Sequence, residues 1–254
     1  MSAITIPDPL VIRLRTARRV AVLTGAGISA ESGVPTFREA QTGLWARYNP
    51  EDLATPEAFR RNPRLVWEWY AWRRELVSKA EPNAGHQALV TLEQRIPTFT
   101  LITQNVDGLH RRAGSHSILE LHGNLFRTKC FSEDQPVENW SDGDEVPPRC
   151  PRCGGLLRPD VVWFGEMLPA GALRAAEHAA AESEIFFSIG TSALVYPAAE
   201  LPFAALNAGA TVVEINPQPT PLSPHATFSL NGAAGAVLPS LVEQVWGAVN
   251  QAPG

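Results

Sequence analysis

The sequence predicts an α/β protein built on a parallel sheet, and three observations carry that prediction. Short β-branched or aromatic runs alternate with longer helical patterns, the signature of strands covered by helices on both faces. The runs end in polar or glycine-containing turns. In open parallel sheets ligands bind beyond the carboxyl ends of the strands, so these turns should converge on one crevice. A chain of 254 residues with 44% hydrophobic content also buries a full core of this kind and leaves room for a small insert.

Four strands are placed at 20–24, 98–103, 185–189 and 211–215, closed by Gly25-Ala26-Gly27, Gln104-Asn105, Gly190-Thr191-Ser192 and Asn216-Pro217. Helices are expected at 84–94, over the alanine-rich 170–181, at 197–208, where proline stands at a helix start, and at 238–249. Between 124 and 159 the periodicity fails. That segment is polar, contains Asp142-Gly143-Asp144 and Pro147-Pro148, and holds all three cysteines, which marks a separate small module. The expected architecture is a Rossmann-like parallel sheet with helices on both faces plus a small zinc-ribbon-like and helical insert. One catalytic unit should span 1–254, its large part formed by about 10–38, 84–123 and 160–249 and its small part by inserts at about 39–83 and 124–159.

Composition excludes some partners. A formal charge of -5 argues against a nucleic-acid binder, because phosphate affinity needs clustered basic side chains. No stretch approaches the ~20 apolar residues of a membrane span. With only three cysteines a disulfide framework is not expected, and the reducing cytoplasm is the natural setting. Arg13, Arg15, Arg18 and Arg19 form a basic run. It reads either as an organelle-targeting signal or as a solvated first helix leading into the first strand, and the second reading is favoured.

The chemistry resides in three segments. Gly25-Ala26-Gly27-Ile28-Ser29 directly follows the apolar run at 20–23, giving a glycine turn where backbone can approach a pyrophosphate. Ala30 stands where the dehydrogenase fingerprint has its third glycine, so that turn alone is weak evidence. It continues into Ala30-Glu31-Ser32-Gly33-Val34-Pro35-Thr36-Phe37-Arg38 and Gly43-Leu44-Trp45, and is followed by Gln104-Asn105-Val106-Asp107 and Leu121-His122-Gly123. Here the chain resembles the sirtuins, over roughly residues 20–239.

The resemblance implies an NAD-consuming removal of acyl groups from protein lysines. The acyl oxygen attacks C1′ of the nicotinamide ribose and releases nicotinamide. His122 then acts as base on a ribose hydroxyl, and collapse with water yields free lysine and 2′-O-acyl-ADP-ribose. A neutral imidazole suits that task near pH 7. Asn105 and Asp107 match residues that hold the ribose and the carboxamide. Phe37 and Arg38 are expected to close over the pocket, and Gly25, Ala26, Gly27, Ser29, Ser32, Trp45 and Gln104 belong to the same nucleotide segments. Gly190, Thr191, Ser192 and Asn216 match positions at the phosphate and adenosine ribose, and Ala234 falls where adenine is covered. His86, His116, His178 and His225 are read as satisfied surface or core residues, while His110 is expected to buttress the nicotinamide pocket.

Cys150-Pro151-Arg152-Cys153 is half of a zinc site, and Cys130 supplies a third thiolate. Sirtuins usually have a second Cys-x-x-Cys pair, which would place a thiolate at Glu133. Glu133, Asp134 or a water can complete a tetrahedron; the alternative is an empty site with the module held by its own packing. Either way the role is structural.

The acyl group is indicated by Trp69-Tyr70-Ala71-Trp72-Arg73. On a helix residues three apart share a face, so Tyr70 and Arg73 can point into one cavity and clamp a carboxylate. Losing a guanidinium–carboxylate pair in a dry pocket costs on the order of 2–5 kcal/mol, and acetyl offers that arginine nothing. Tyr-x-x-Arg resembles the class III sirtuins, the desuccinylase type also found in bacteria, which prefer succinyl-, malonyl- and glutaryl-lysine. Ala54 matches their small pocket-widening residue. The competing view makes Arg73 a solvated residue beside Arg74 and Tyr70 ordinary core. Val162-Trp163-Phe164-Gly165-Glu166 matches the segment to which the substrate peptide adds as an edge strand, with aromatic rings lining the lysine tunnel, and a purely structural role as a buried strand is compatible with it. The partners expected are NAD and acyl-lysine proteins or peptides, with no nucleic acid, no membrane and a monomeric chain. Two rivals remain: an NAD hydrolase or ADP-ribosyltransferase, which needs no acyl clamp, and a non-catalytic NAD-binding module, which needs no Asn105, Asp107 and His122.

Overall fold

The computed structural model describes residues 5–35, 49–141 and 145–247. Among them the strands are β1 (Arg19–Thr24), β2 (Thr98–Thr103), β3 (Ile118–Glu120), β4 (Gly123–Cys130), β5 (Leu157–Val161), β6 (Ile185–Ile189), β7 (Thr211–Asn216) and β8 (Phe228–Asn231). The helices are α1 (Asp8–Thr16), α2 (Pro56–Arg61), α3 (Pro63–Ser78), α4 (Ala84–Arg95), α5 (Leu109–Ala113), α6 (Ala170–Glu182), α7 (Leu201–Asn207) and α8 (Ala234–Trp246). Six strands form one sheet in the order β3-β2-β1-β6-β7-β8, every pair parallel. The chain therefore winds outward from β1 in one direction, crosses back, and winds outward in the other from β6. That reversal places a topological switch point between β1 and β6, the place where such sheets open a crevice.

Strand periodicity divides the core into two layers. Val20 and Val22 of β1 with Ile185, Phe187 and Ile189 of β6 face α1, α4 and α8. Ala21 and Leu23 with Phe186 and Val212 face α6 and α7. Alternate residues of a strand point to opposite faces, so a strand apolar on both faces has to be covered on both sides. The basic run near the start lies in α1 and at the head of β1: Leu10 and Leu14 are buried against the sheet, while Arg13 donates to the Thr211 hydroxyl and Arg15 to the Val245 carbonyl.

Helix limits follow local chemistry. Thr55 and Asn62 cap α2 and α3 by accepting from Ala58 and Leu65 N–H, each with proline at the next position. Asn83 and His86 form a capping box on α4. Two sequence expectations are corrected. The helix anticipated at 197–208 is a 3-10 turn, Ala198–Glu200, followed by α7, because Pro202 has no N–H to donate to an earlier carbonyl. The helix anticipated at 238–249 begins four residues earlier at Ala234, holds Pro239 inside it, and stops where Gly247 turns to φ 83°.

The segment read as lacking periodicity is not strandless: β4 and β5 pair antiparallel there, with a shift in register between Asn124 and Thr128. Its side chains join α2 and α3 in a separate apolar cluster around Phe59, Trp69, Tyr70 and Trp163. A further small cluster surrounds Cys130 and Cys150. No described helix is long and apolar enough to cross a membrane.

At the switch point the turns after β1 and β6 touch backbone to backbone. Gly27 N–H donates to the Gly190 carbonyl at 2.9 Å and Gly25 N–H to that of Ile189 at 3.0 Å. A Cβ on Gly27 would stand 2.6 Å from Gly190 Cα, and one on Gly190, whose φ is +60°, 2.5 Å from Ile28 N. Gly190→Ala is expected to lose about 2–5 kcal/mol, from left-handed strain together with overpacking. Gly33, at φ +75° with nothing within 4 Å of its added Cβ, should lose only about 1–2 kcal/mol as alanine. Urea denaturation of both variants checks this; equal losses would show that the two turns can part freely.

Candidate functional site

The carboxyl ends of β1, β2, β6 and β7 are joined by hydrogen bonds into one floor. Asn105, just past β2, donates through Nδ2 to the Gly25 carbonyl at 3.0 Å and to Ser29 Oγ at 3.2 Å. Ser29 in turn donates to Asp107 Oδ2 at 2.7 Å, and the Leu109 N–H donates to Asp107 Oδ1 at 2.9 Å. Asn216, ending β7, donates to the Thr191 carbonyl at 2.8 Å. Asn105, Asp107, Ser29 and Thr191 are all buried. Burial raises the Asp107 carboxyl above its usual range, opposed by its two hydrogen bonds and by the charge of Arg73.

The N–H groups of Gly25, Gly27 and Gly190 are all engaged within the protein. These glycines therefore let two turns meet, and a pyrophosphate is left to neighbouring groups such as half-buried Ala26 and exposed Ser192. Glu31 accepts from Gly235 N–H at 2.7 Å, joining the first turn to the start of α8 beside buried Ala234. Ser32 accepts from Asn83 Nδ2. Phe37, Arg38 and Trp45 lie outside the described residues.

His122 is half-buried at the other side of this floor. Its Nδ1 lies 2.9 Å from the Gln104 carbonyl; a carbonyl only accepts, so Nδ1 carries the proton and Nε2 keeps its lone pair. Burial pushes its pKa below the ordinary value, partly offset by that hydrogen bond. The ring is neutral at pH 7 and ready to take a proton. The next residue has to be glycine: Gly123 adopts φ +78°, and a Cβ there would stand 2.1 Å from the Asp160 carbonyl oxygen. The His122 carbonyl accepts from Val162 N–H and the Ala54 carbonyl from Phe164 N–H, both at 2.9 Å, so the 162–166 segment is tied to His122 on one side and to Ala54 on the other.

Tyr70 and Arg73 share the inner face of α3, only 2% and 8% exposed. The Arg73 guanidinium lies 5.3 Å from the Trp69 ring centroid. Burial lowers its pKa, against which Tyr70 and Asp107 act electrostatically. Tyr70 is pushed up to about 12 by burial, so its hydroxyl keeps its proton. Phe164 is exposed, Gly165 adopts φ +86°, and Trp163 is buried.

Two buried features escaped the sequence reading. His86 and His110 pack with ring centroids 4.9 Å apart and planes tilted by 56°. His110 Nε2 meets Thr24 Oγ1, and His86 Nδ1 accepts from Asn83 N–H. Among the described residues His86 Nε2 and His110 Nδ1 have no hydrogen-bond partner, so the expectation of a satisfied His86 holds for one of its two nitrogens. The Asn83-x-x-His86 spacing was a visible capping signal. Nothing in the sequence distinguished the second feature, an inward-facing strand arginine, Arg158, bonded to both oxygens of Glu166.

Cys130, Cys150, Cys153 and Glu133 place their ligand atoms all within 4.8 Å of one another. Donors around a tetrahedral zinc with bonds of about 2.3 Å stand about 3.8 Å apart. Cys130 Sγ and Cys153 Sγ are 3.4 Å apart and Cys150 Sγ is 4.0 Å from Glu133 Oε2. Three thiolates and one carboxylate therefore fit a zinc ion. Glu133 also binds Arg152 at 2.9 Å, which offsets its charge.

The Sir2 family model matches residues 25–197, and the chain belongs to the Sir2 family, the sirtuins. The NAD-dependent protein deacylase of Aquifex aeolicus is 54% identical over 220 residues, covering 86% of this chain and 92% of that relative. NAD-dependent protein deacylase 2 of Pyrobaculum aerophilum is 55% identical over 238 residues, 91% and 93% of the two chains. A crystal structure of a Sir2 homolog–NAD complex superposes with a TM-score of 0.88 at 47% identity, over 96% of each chain. A Sir2–p53 peptide–NAD+ structure gives 0.81 at 30%, over 94% of this chain and 98% of that one.

Two pH effects follow. If His122 Nε2 is the base, activity is lost as the pH falls through its lowered pKa. The acid limb of kcat/KM should then have its midpoint below pH 6.5, and a midpoint above 6.5 would assign the base elsewhere. Burial also lowers His86 to about 4 and His110, which further feels His86, to about 3. Their contribution to stability is full above pH 6.5, the unfolded value, and is lost as the pH falls toward those folded values, at about 1.4 kcal/mol per pH unit for each ring. Urea unfolding at pH 6.5, 5.5 and 4.5 should show a slope about 1 kcal/mol per unit shallower in His110→Gln; an unchanged slope would mean that His110 is protonated in the folded state.

Proposed function

We propose that this sirtuin is an NAD-dependent protein-lysine deacylase that prefers acidic acyl groups, succinyl, malonyl or glutaryl, over acetyl. The observation that carries this reading is the burial of Tyr70 and Arg73 together on α3. A guanidinium held out of water binds a carboxylate strongly and bidentately, such as the one that ends an acidic acyl chain. Tyr70 supplies a neutral donor beside it. Ala54, buried and bonded through its carbonyl to Phe164 N–H, leaves space where a larger side chain would intrude.

The crevice at the switch point suits NAD, which is consumed as a co-substrate; it supplies the ribose carbon to which the acyl oxygen bonds and the nicotinamide that leaves. The chain's own groups do the rest. Asn105 and Asp107, fixed by Ser29 and the Leu109 N–H, orient the ribose and carboxamide. Gly25, Ala26, Gly27, Ser32, Gln104, Gly190, Thr191, Ser192, Asn216 and Ala234 form the dinucleotide walls. His122 takes a proton at Nε2 while Gln104 holds Nδ1–H. The acyl-lysine peptide adds along 162–166. The Cys130, Cys150, Cys153 and Glu133 cluster holds a structural zinc in the small module, and the apolar cluster of α2, α3, β4 and β5, separate from those on the two sheet faces, supports the division into a large sheet part and a small inserted part. A monomer acting in the cytoplasm belongs to the same reading.

Kinetics of wild type and Arg73→Met on succinyl- and acetyl-lysine peptides, followed by peptide-dependent nicotinamide release, test the specificity. The succinyl-to-acetyl ratio of kcat/KM is expected to fall by about 100-fold or more, the loss of one desolvated charge pair. Equal losses on both peptides would make Arg73 a structural partner of Asp107 and nothing more. Nicotinamide release that ignores the peptide would point to NAD hydrolysis instead.

A further inference from the structure

Trp163, read from sequence as lining a tunnel or as buried structure, is 2% exposed and held from three directions. Its backbone N–H donates to Glu166 Oε2 at 2.8 Å. The Arg158 guanidinium lies 3.2 Å from the Trp163 ring centroid while it bonds both Glu166 oxygens, at 2.5 and 3.0 Å, and the Val161 carbonyl at 2.7 Å. Phe59 packs on the ring with centroids 5.4 Å apart. A ring clamped in this way cannot turn, and its only polar atom, Nε1, donates to the Tyr70 hydroxyl oxygen at 3.0 Å in a fully buried contact.

That contact has a directional consequence. An indole N–H donates and never accepts, so Tyr70 must be the acceptor on that side. A phenol hydroxyl has one proton, which cannot point back at a donor. It is turned away from the indole, and Tyr70 shares its buried helix face with Arg73. With a bare hydrocarbon ring at 163 the phenol proton could settle in either direction, and Tyr70 would present a lone pair to an incoming anion part of the time.

We propose that Trp163 is a positioning residue for acyl selectivity, its indole N–H orienting the Tyr70 hydroxyl as a donor toward the carboxylate of an acidic acyl chain. The proposal rests on the acidic-acyl reading of Arg73. It assigns Trp163, Glu166 and Arg158 to the specificity apparatus, although none of them needs to touch the acyl carboxylate.

The test is a double-mutant cycle of wild type, Trp163→Phe, Tyr70→Phe and the double variant on succinyl- and acetyl-lysine peptides. Trp163→Phe should lower the succinyl-to-acetyl ratio of kcat/KM about tenfold, the worth of one oriented hydrogen bond to a charged group, and most of the change should lie in the succinyl KM. In the Tyr70→Phe background the same substitution should leave the ratio within twofold, because the hydroxyl it acts through is gone. An unaltered ratio in Trp163→Phe, or full and independent effects in the double variant, overturns the proposal. If Trp163→Phe does not fold, β-(3-benzothienyl)alanine at position 163 keeps both rings, replaces N–H by sulfur, and is read against the same outcomes. Arg73→Met separates the two ideas: when it loses selectivity and Trp163→Phe does not, only the indole proposal fails, and when Arg73→Met keeps selectivity the acidic-acyl reading fails and takes this proposal with it.

Discussion

Where the turns after β1 and β6 meet, Gly25, Gly27 and Gly190 press backbone against backbone with no room for a Cβ between them. The other positions in the site are set from that contact. Because the two turns touch, the Gly25 carbonyl stands where Asn105 can bond it, Asn105 reaches Ser29, and Ser29 reaches Asp107. Interiors are close-packed and respond to displacements of a fraction of an ångström. A forced separation at the switch point would therefore be felt through Asn105 and Ser29 as far as Asp107.

The site combines two kinds of electrostatic environment. His122 keeps one nitrogen on a carbonyl and the other as a lone pair, so burial makes it a neutral base. Arg73 and Asp107 are buried as well, but there the attraction between opposite charges opposes the desolvation. The zinc cluster lies in neither environment. Its cysteines close the β4–β5 module next to Trp67 and Val137, so a metal there would hold the small part together and leave the chemistry alone.

Much of this was visible in one dimension. Runs of β-branched and aromatic residues, the turns after four strands and the Gly-x-Gly, Gln-Asn-x-Asp and His-Gly segments located the sheet and the groups at the carboxyl ends of its strands, because each is a local pattern with a local cause. The errors share a cause as well. Both misdrawn helices contain a proline that was not weighed: Pro202 stands at the start of α7 within a stretch drawn as one helix, and Pro239 lies inside a helix drawn to begin at 238. Short strands such as β3 and β8 have too few residues to show a period. β4 is hidden by a register shift that breaks its alternation.

By itself the sequence determined the family, the four central strands β1, β2, β6 and β7, and the identity of the residues at their carboxyl ends, since these depend on residue type and spacing along the chain. Only the tertiary structure decided what those residues do to one another. That Gly27 is needed against Gly190, that His122 has its proton on Nδ1, that Glu133 stands beside the Cys150 thiol and that Trp163 reaches Tyr70 are facts about groups 17 to 163 residues apart. Such pairs meet because the β1–β6 reversal and the β4–β5 hairpin bring distant stretches together, and no local pattern records which side chain will lie opposite which.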